Sequence, residues 1–214
     1  MIISIAVSIK TGSLWNMKDI TGHLILVMGP SGSGKGRLVN ALGSLVDDIY
    51  FAQTYTTRQR RDGARENKKY VFVTEDEFKK AINKGEFIEW AEFSGNFYGT
   101  PASEILKPLQ EGKVVLKEMD LQGIQQIKKI IPEDNITVVY VDAGDWSSLQ
   151  RRIKGRAAIS REELELRRLR YLEESKSKDF ADVVILNKDG YVKNAVYAFR
   201  SLIKNILKKT NGAF

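Results

Sequence analysis

The chain has 214 residues, 43% of them hydrophobic and 29% charged, which is the composition of a globular protein with enough apolar material for a core. It contains no cysteine and one histidine, His23, so disulfides, thiolate chemistry and a multi-histidine metal site are excluded. The net charge of +7 suits polyanionic ligands, either nucleotides or nucleic acid, and does not choose between them.

The first nine residues are apolar, but no basic segment precedes them. Lys10 interrupts the run well short of the roughly 20 residues that a membrane span requires. For residues 1–22 we therefore expect an N-terminal extension or an additional β-strand rather than a secretory signal, and we expect a cytoplasmic protein.

The stretch Gly29–Lys35 lies between two apolar segments, Leu24–Met28 and Leu38–Leu42. This order predicts a buried strand, a glycine-rich turn and a helix, and the spacing G-x-x-x-x-G-K is that of a phosphate-binding loop. Glycines let backbone N–H groups converge on a phosphate, and Lys35 adds a mobile positive charge. The alternative, a glycine-rich turn with a chance lysine, is disfavoured by the flanking elements. Gly36 stands where Ser or Thr usually supplies a magnesium ligand, so phosphates, water and other carboxylates must hold the ion.

Further along the chain, predicted strands alternate with predicted helices. Strands are expected at 49–53, 86–93, 97–98, 114–116, 136–141 and 183–186, and helices at about 35–44, 74–82, 101–111, 124–131, 146–153, 161–174 and 191–208. Residues 54–69 show neither period and are predicted to form a ligand-contacting loop. Continuous apolar strands that alternate with helices favour a parallel sheet covered on both faces.

Two candidate binding features are the polar segment Thr56–Arg61 and Glu89, which lies within the predicted strand 86–93. The segment Thr56–Arg61 is rich in arginine, whose guanidinium groups could grip a phosphate bidentately or form a solvated basic loop. Glu89 is expected on one face of its strand with Phe87 and Ala91, at least half buried. Such a carboxylate can accept both the N1–H and the N2–H of guanine, which adenine does not offer together. An exposed strand glutamate is the alternative.

A third group is the basic run Arg151–Arg156, followed by Arg167 and Arg168 on the next helix. Like charges this dense repel one another unless an anion or an acidic neighbour intervenes. They could close over transferring phosphates as a lid, or they could form a solvated basic face, for example for nucleic acid.

With these motifs in place, the chain resembles a guanylate kinase from about Leu24 to Ile206. The resemblance rests on these segments in combination: Gly29–Lys35, Thr56–Arg61, Lys69–Val73, Phe87–Ala91, Ser94–Thr100 and Met119–Gly123. It implies an α/β P-loop nucleoside monophosphate kinase fold with a three-layer parallel sheet core (23–53, 101–145 and 177–214), an inserted GMP-binding lobe (54–100) and a helical lid (146–176). It also implies transfer of the γ-phosphoryl group of ATP to GMP, giving ADP and GDP, with Mg²⁺ accompanying ATP.

The resemblance further implies a role for individual residues. ATP would be held by Gly29, Pro30, Ser31, Gly32, Ser33, Gly34, Lys35, Gly36, Arg37 and Asn187. GMP would be held by Thr54, Arg58, Arg61, Tyr70, Glu89, Tyr98, Thr100, Glu118 and Asp120. Catalysis would rest on Lys35, Arg58, Arg152, Arg156 and Arg168. Arg168 is preferred to Arg167 by counting from the pair Glu162–Glu163, and Mg²⁺ would lie near Glu118 and Asp120.

Three segments depart from the family pattern: Gly36-Arg37 lacks the hydroxyls, Glu118 replaces aspartate, and Val141–Asp145 replaces a Pro-Pro-Ser turn. These departures bear on metal affinity and turnover rather than on substrate binding.

Three other interpretations stay open. A guanylate-kinase-like scaffold domain that binds phosphorylated peptides is disfavoured by the intact phosphate-binding loop. Ribose 1,5-bisphosphate phosphokinase shares the fold and would not need Glu89, Arg61 and Tyr70 together. Nucleic-acid binding rests on charge alone. We expect ATP and GMP as small-molecule partners, with no nucleic acid and no membrane.

Overall fold

The structure is a computed structural model, and it describes residues 16–60, 69–155 and 159–212 of the chain. Three predictions fall outside those residues: the additional strand at the N-terminus, the GMP-binding role of Arg61 and the lid role of Arg156. The described part of the predicted extension contains a short 3-10 helix, Met17–Asp19, which the Asn16 side chain caps.

The strands and helices of the described residues alternate along the chain as predicted. The strands are β1 (His23–Met28), β2 (Ile49–Phe51), β3 (Thr54–Thr56), β4 (Tyr70–Phe72), β5 (Phe87–Phe93), β6 (Asn96–Pro101), β7 (Val114–Glu118), β8 (Ile136–Asp142) and β9 (Val183–Leu186). The α-helices are α1 (Lys35–Asn40), α2 (Glu75–Lys84), α3 (Ala102–Gln110), α4 (Leu121–Ile127), α5 (Trp146–Lys154), α6 (Arg161–Ser175) and α7 (Val192–Thr210).

A five-stranded sheet has the strand order β2-β7-β1-β8-β9. The pairs β2–β7 and β8–β9 are parallel, with Ile49 opposite Val114 and Asp142 opposite Leu186. Its strand β1 is a continuous apolar run, and Leu24–Met28 are almost entirely buried, as expected for a parallel strand covered on both faces. The predicted α/β fold class with a parallel sheet is therefore confirmed.

A second sheet has four strands in the order β4-β3-β6-β5 and is mixed. β3 pairs parallel to β4 and antiparallel to β6, and β5 and β6 form the predicted hairpin around Ser94 and Gly95. The predicted capping box that opens α2 is present, because Thr74 and Glu77 each accept a backbone N–H of the other.

The described residues separate into two compact units. The first takes the residues up to Leu24, then Ile49–Lys117 and Gln122–Ile136. The second takes Ile25–Asp48, Glu118–Leu121 and the described residues from Thr137 onward.

Three local predictions were wrong. Thr54–Thr56 is the strand β3 rather than the start of a loop. The segment is too short to show a strand pattern in the sequence, and it is a strand because it pairs with β4 and β6. Phe87 does not share the face of Glu89, because the register shifts between those two residues and Phe87 packs with Phe78 and Trp90 instead.

Helix α1 is also shorter than predicted and ends at Asn40. Arg200, on α7, donates from Nη1 to the carbonyl oxygens of Ala41 and Leu42, each at 2.8 Å. These bonds satisfy carbonyls at the end of the helix, and Gly43 then turns the chain with a φ of 62°. No helix of the described residues is long and apolar enough to cross a membrane.

Candidate functional site

The phosphate-binding loop, which lies in the second unit, is packed tightly around its glycines. Gly29 has a φ of 136°, and a Cβ atom there would lie 2.6 Å from the carbonyl oxygen of Val141. Gly34 has a φ of 96°, and its Cβ would lie 2.4 Å from Nδ2 of Asn187. No other residue type fits at either position without moving a neighbour, so the loop requires both glycines.

Lys35 is the first residue of α1 and folds its side chain back over the loop. Its Nζ donates to the carbonyl oxygen of Gly29 and, at 3.2 Å, to that of Pro30. The ammonium group is half buried and is held at the mouth of the loop. Phosphate oxygens could replace these carbonyls as stronger, charged acceptors.

A carboxylate that the sequence did not suggest lies beside this loop. Glu174, near the end of α6, accepts the backbone N–H of Ser31 and lies close enough to Lys35 and Asp120 to interact with their charges. Burial raises the pKa of Glu174 and Asp120 adds to the rise, whereas Lys35, the Ser31 N–H and Arg170 act in the opposite direction. The loop therefore has both a cation and a carboxylate at its edge.

Asn187 follows β9 and closes the other side of the loop. Its Nδ2 donates to the carbonyl oxygen of Ser33 at 2.7 Å, and the residue is only 2% exposed. Its Oδ1 is buried and has no hydrogen-bond partner among the described residues. A buried amide oxygen without a donor is costly, so this atom is an acceptor that a ligand can satisfy.

The basic segment predicted to form a lid has acidic partners in this structure. Arg152 donates to Oδ1 of Asp189 at 2.8 and 2.9 Å and to the carbonyl oxygen of Asn187 at 2.7 Å. Arg151 pairs with the same aspartate at 3.1 Å. Acidic neighbours thus relieve the repulsion between these arginines, as the sequence required.

The two arginines of α6 differ in orientation. Arg167 pairs with Glu163 at 2.7 Å, and Arg168 lies 3.8 Å from Glu165 and is 54% exposed. At 3.6 residues per turn, Arg167 lies about 20° and Arg168 about 120° around the helix from Glu174. Arg168 stays the predicted lid residue, and the geometry adds Arg167 as the arginine on the face of Glu174.

The turn before the lid uses its two aspartates structurally. Asp142 accepts the backbone N–H of Gly144 at 2.8 Å and pairs with Lys178 at 2.9 Å, and Asp145 caps α5 by accepting the N–H of Ser148. Burial alone would raise the pKa of Asp142, but the two partners outweigh it and lower that pKa. The departure from the family pattern here thus keeps an ordered turn.

The first unit carries a polar row across its four-stranded sheet. Thr54 lies opposite Tyr70, and Thr100 lies opposite Glu89. Because Tyr55 faces Gly99, the same register brings Thr54 opposite Thr100. Directly opposite residues share a face, so four predicted GMP-binding residues line one face, and Tyr98, two residues before Thr100, joins them.

The other face of this sheet is apolar and packs against α2. Phe78 stacks on Phe87 with 4.4 Å between ring centroids, and Trp90 completes the cluster. A Cβ atom on Gly99 would lie 2.9 to 3.0 Å from these three side chains, so the strand approaches the cluster closely. This packing fixes the sheet, and the polar row with it.

Glu89 is half buried and oriented by its neighbour. The hydroxyl of Thr100, itself fully buried, donates a hydrogen bond to Oε1 of Glu89. The alternative of an exposed strand glutamate is therefore excluded. Each carboxylate oxygen has two lone pairs, so this bond leaves capacity for further donors such as those of guanine.

The start of the arginine-rich segment is anchored to β6. Thr57 Oγ1 accepts the N–H of Phe97 at 2.9 Å, and Thr56 Oγ1 accepts the N–H of Arg58 at 3.2 Å. The guanidinium of Arg58 lies 5.6 Å from the ring centroid of Tyr70. Two of the residues predicted to hold the GMP phosphate, Arg58 and Tyr70, are thus close to each other in this structure.

One buried cation lies next to the polar row. Lys117, on β7, is 4% exposed and donates from Nζ to Oγ1 of Thr54 at 2.6 Å and to the carbonyl oxygen of Ala52 at 3.3 Å. A buried ammonium requires such partners.

Comparison with known proteins identifies the family to which these features belong. The family model described as guanylate kinase matches residues 21–205. The chain belongs to the guanylate kinase family. It is 36% identical over 182 residues to the guanylate kinase of Nostoc sp., a match that covers 85% of this chain and 90% of the relative. It is 34% identical over 194 residues to that of Malacoplasma penetrans, covering 90% and 98%.

A solved structure agrees. The crystal structure of guanylate kinase from Anaplasma phagocytophilum matches with a TM-score of 0.64 and 27% identity, and the match covers 88% of this chain and 85% of that one. The predicted family, fold and enzyme class, a nucleoside monophosphate kinase, are confirmed. The roles of individual residues and the boundaries of lobe and lid stay predictions.

Sequence reasoning missed three residues that bear on a guanylate kinase site. Glu174 was detectable, because it continues the inward face of α6 set by Leu164 and Tyr171, which pack against the core. Asp189 and Lys117 gave no such signal: the first comes from a loop and the second interrupts an apolar strand.

Proposed function

We propose that this guanylate kinase transfers the γ-phosphoryl group of ATP to GMP with a separate set of residues for each nucleotide, one in each compact unit. The acceptor set lies on the polar face of the four-stranded sheet. The donor set lies around the phosphate-binding loop. Phosphoryl transfer depends on positioning and charge stabilisation more than on a strong base, and both sets are rich in donors and cations.

In the acceptor set, Glu89 accepts the N1–H and N2–H of guanine while Thr100 orients its carboxylate. Thr54, in the same row, contacts the base beside Glu89. Arg58, Tyr70 and Tyr98 hold the GMP phosphate, and Arg61 joins them in the proposal. Adenine presents no pair of N–H donors to Glu89, so the same geometry selects GMP over AMP.

In the donor set, the backbone of Gly29–Gly34 and the ammonium of Lys35 hold the ATP phosphates. Asn187 supports this assignment, because its Oδ1, which has no hydrogen-bond partner within the part of the chain that the structure describes, is a buried acceptor suited to the exocyclic amine of adenine. Gly36 and Arg37 follow the loop in the first turn of α1 and provide no hydroxyl to a metal.

The lid arginines Arg152 and Arg168, with Arg156, stabilise the charge that spreads over the transferring group. In the structure Arg152 is paired with Asp189. Catalysis therefore requires this guanidinium to exchange a carboxylate for phosphate oxygens.

The magnesium ion that accompanies ATP fits this site as a substrate-borne ion. The described residues contain no group of three or more acidic or histidine side chains that could hold a metal. Mg²⁺ commonly takes one or two carboxylates together with phosphates and water, and Asp120 and Glu174 lie near each other at the loop. Asp120, with Glu118, would hold the ion through water. The ion would neutralise phosphate charge when bound.

The observation that carries the proposal is the in-register row Tyr70, Thr54, Thr100 and Glu89, which brings four predicted GMP-binding residues to one face. The test is ³¹P NMR of the protein with ATP, GMP and Mg²⁺. We expect ADP and GDP to form in equal amounts. Formation of ADP and inorganic phosphate without GDP would refute the proposal.

The proposal places the reaction in the cytoplasm, where both nucleotides are metabolites, and it includes no nucleic-acid partner. A fluorescence titration with single-stranded and double-stranded oligonucleotides tests the latter point. Binding without base preference and with a steep dependence on salt would contradict it.

A further inference from the structure

Lys117 is a buried charge that the proposed transfer does not use. It lies in the first unit on β7 and is 4% exposed. A charge so placed is costly, and a protein retains it only with well-formed hydrogen bonds. Its 2.6 Å bond to Oγ1 of Thr54 is of that kind, because an ionised donor makes short and strong bonds.

The chemistry of the pair fixes the direction of this hydrogen bond. An ammonium group has three hydrogens and no acceptor, so Thr54 must accept from Lys117. A threonine hydroxyl that accepts from one side keeps its own hydrogen for another partner. Thr54 is therefore biased toward donating, although a free threonine can donate or accept.

Guanine has an acceptor atom that a donating Thr54 hydroxyl could bind. On the edge that Glu89 reads, guanine has the donors N1–H and N2–H, and the acceptor O6 follows directly beside N1. Adenine has an amino group, a donor, where guanine has O6. The Thr100 hydroxyl already donates its hydrogen to Glu89, and Thr54 lies opposite Thr100 in the polar row, so Thr54 has the next hydroxyl of the row that can donate to the base.

We propose that Lys117 is a positioning residue for base selection: its ammonium makes Thr54 a hydrogen-bond donor to O6 of guanine. This rests on the proposed function and extends it, since Glu89 reads the 1 and 2 positions and the Lys117–Thr54 pair reads position 6. A donor at position 6 meets a second donor in adenine and leaves both unsatisfied, so the pair also rejects AMP.

The test measures kcat/KM of Lys117→Met and Lys117→Leu with GMP, with 6-thio-GMP, whose sulfur is a poor acceptor, and with IMP, which lacks only the 2-amino group. We expect kcat/KM for GMP to fall about tenfold. We expect the preference for GMP over 6-thio-GMP to fall toward that of Thr54→Val, while the preference for GMP over IMP, which reports on Glu89, is unchanged. The KM for ATP should also be unchanged.

A double-mutant cycle and a matched variant complete the design. In the Thr54→Val background, Lys117→Met should change the 6-thio-GMP preference no further. The matched variant is Lys113→Met, which removes a lysine four residues before Lys117. Lys113 is 52% exposed and pairs with Glu111, so its loss should leave the base preference as in the wild type.

The outcomes separate the two proposals. If the wild-type protein does not phosphorylate GMP, the proposed function fails. If the wild-type protein does phosphorylate GMP, the Lys117 variants decide. A Lys117 variant with the wild-type circular dichroism spectrum and the wild-type preference for GMP over 6-thio-GMP would show that Lys117 has a structural role only, and this inference would be overturned. An equal loss of preference against 6-thio-GMP and IMP would overturn it as well, because a loosened sheet would disturb Glu89 equally.

Discussion

Replacing Glu89 with glutamine tests whether its carboxylate recognises guanine by accepting the N1–H and N2–H donors. The substitution keeps the shape of the side chain and replaces one carboxylate oxygen by an NH₂ group. The Thr100 hydroxyl already donates to Oε1, so the remaining amide carbonyl is drawn to Thr100 and the NH₂ group faces the N–H donors of guanine. Two charge-assisted hydrogen bonds are lost and a donor faces a donor.

The magnitude follows from those two bonds. Charge-assisted bonds contribute about 1.5–3 kcal/mol each, so the loss of two is expected to cost roughly 3–6 kcal/mol, which is on the order of 10²- to 10⁴-fold in kcat/KM for GMP. A coupled assay of ADP release with varied GMP and varied ATP measures this loss. The KM for ATP should change less than about twofold.

The matched control is Glu92→Gln. Glu92 lies on the same strand, three residues along, and so points to the opposite face from Glu89. The substitution Glu92→Gln makes the same chemical change and should leave kcat/KM for GMP unchanged. Equal losses for GMP and ATP in Glu89→Gln, or equal losses in both variants, would refute the reasoning.

Three further predictions concern the second unit. Lys35→Ala should lower kcat about 100- to 1,000-fold in the coupled assay, because it removes the cation at the phosphate-binding loop. Asp142→Asn should lower Tm at pH 7 by about 2–4 °C, as measured by calorimetry, because it breaks the bond to Lys178. Since the pKa of Asp142 is lowered in the folded state, this stabilisation is present above the unfolded value near about 3.9 and is lost as pH falls below it. Arg168→Ala should lower kcat more than Arg167→Ala, because Arg168 is the proposed lid arginine whereas Arg167 pairs with Glu163.

Each of the three has its own control. Lys204→Ala removes an exposed lysine of α7 and should leave kcat unchanged, and normal turnover in Lys35→Ala would contradict the loop assignment. Asp179→Asn, at an exposed position, should not shift Tm, and a constant Tm difference for Asp142→Asn from pH 7 to pH 3 would exclude the carboxylate as its cause. A larger loss in Arg167→Ala would contradict the assignment of Arg168 and favour the arginine on the helix face of Glu174.

Most of the fold could be predicted because its signals are local. The apolar run Leu24–Met28 and the glycine spacing after it announce a buried strand and a phosphate-binding loop. The capping box at Thr74 placed the start of α2 correctly. Glu89 was predicted to be half buried, and it is.

What could not be predicted depends on contacts between distant segments. β3 is three residues long and is a strand because β4 and β6 pair with it. The register shift beside Glu89 moved Phe87 to the opposite face, which a strict period of two cannot show. Lys117 and Thr54 are 63 residues apart, so their hydrogen bond has no local signature.

The central claim is that this guanylate kinase uses GMP as its phosphoryl acceptor and selects it by the base. The most direct measurement compares kcat/KM for GMP, AMP, CMP and UMP in a coupled ADP-release assay with ATP and Mg²⁺. We expect rapid turnover with GMP and turnover at least about 100-fold weaker with the other three, since each lacks the paired donors that Glu89 accepts. Comparable turnover with AMP, or measurable GMP binding without turnover, would contradict it.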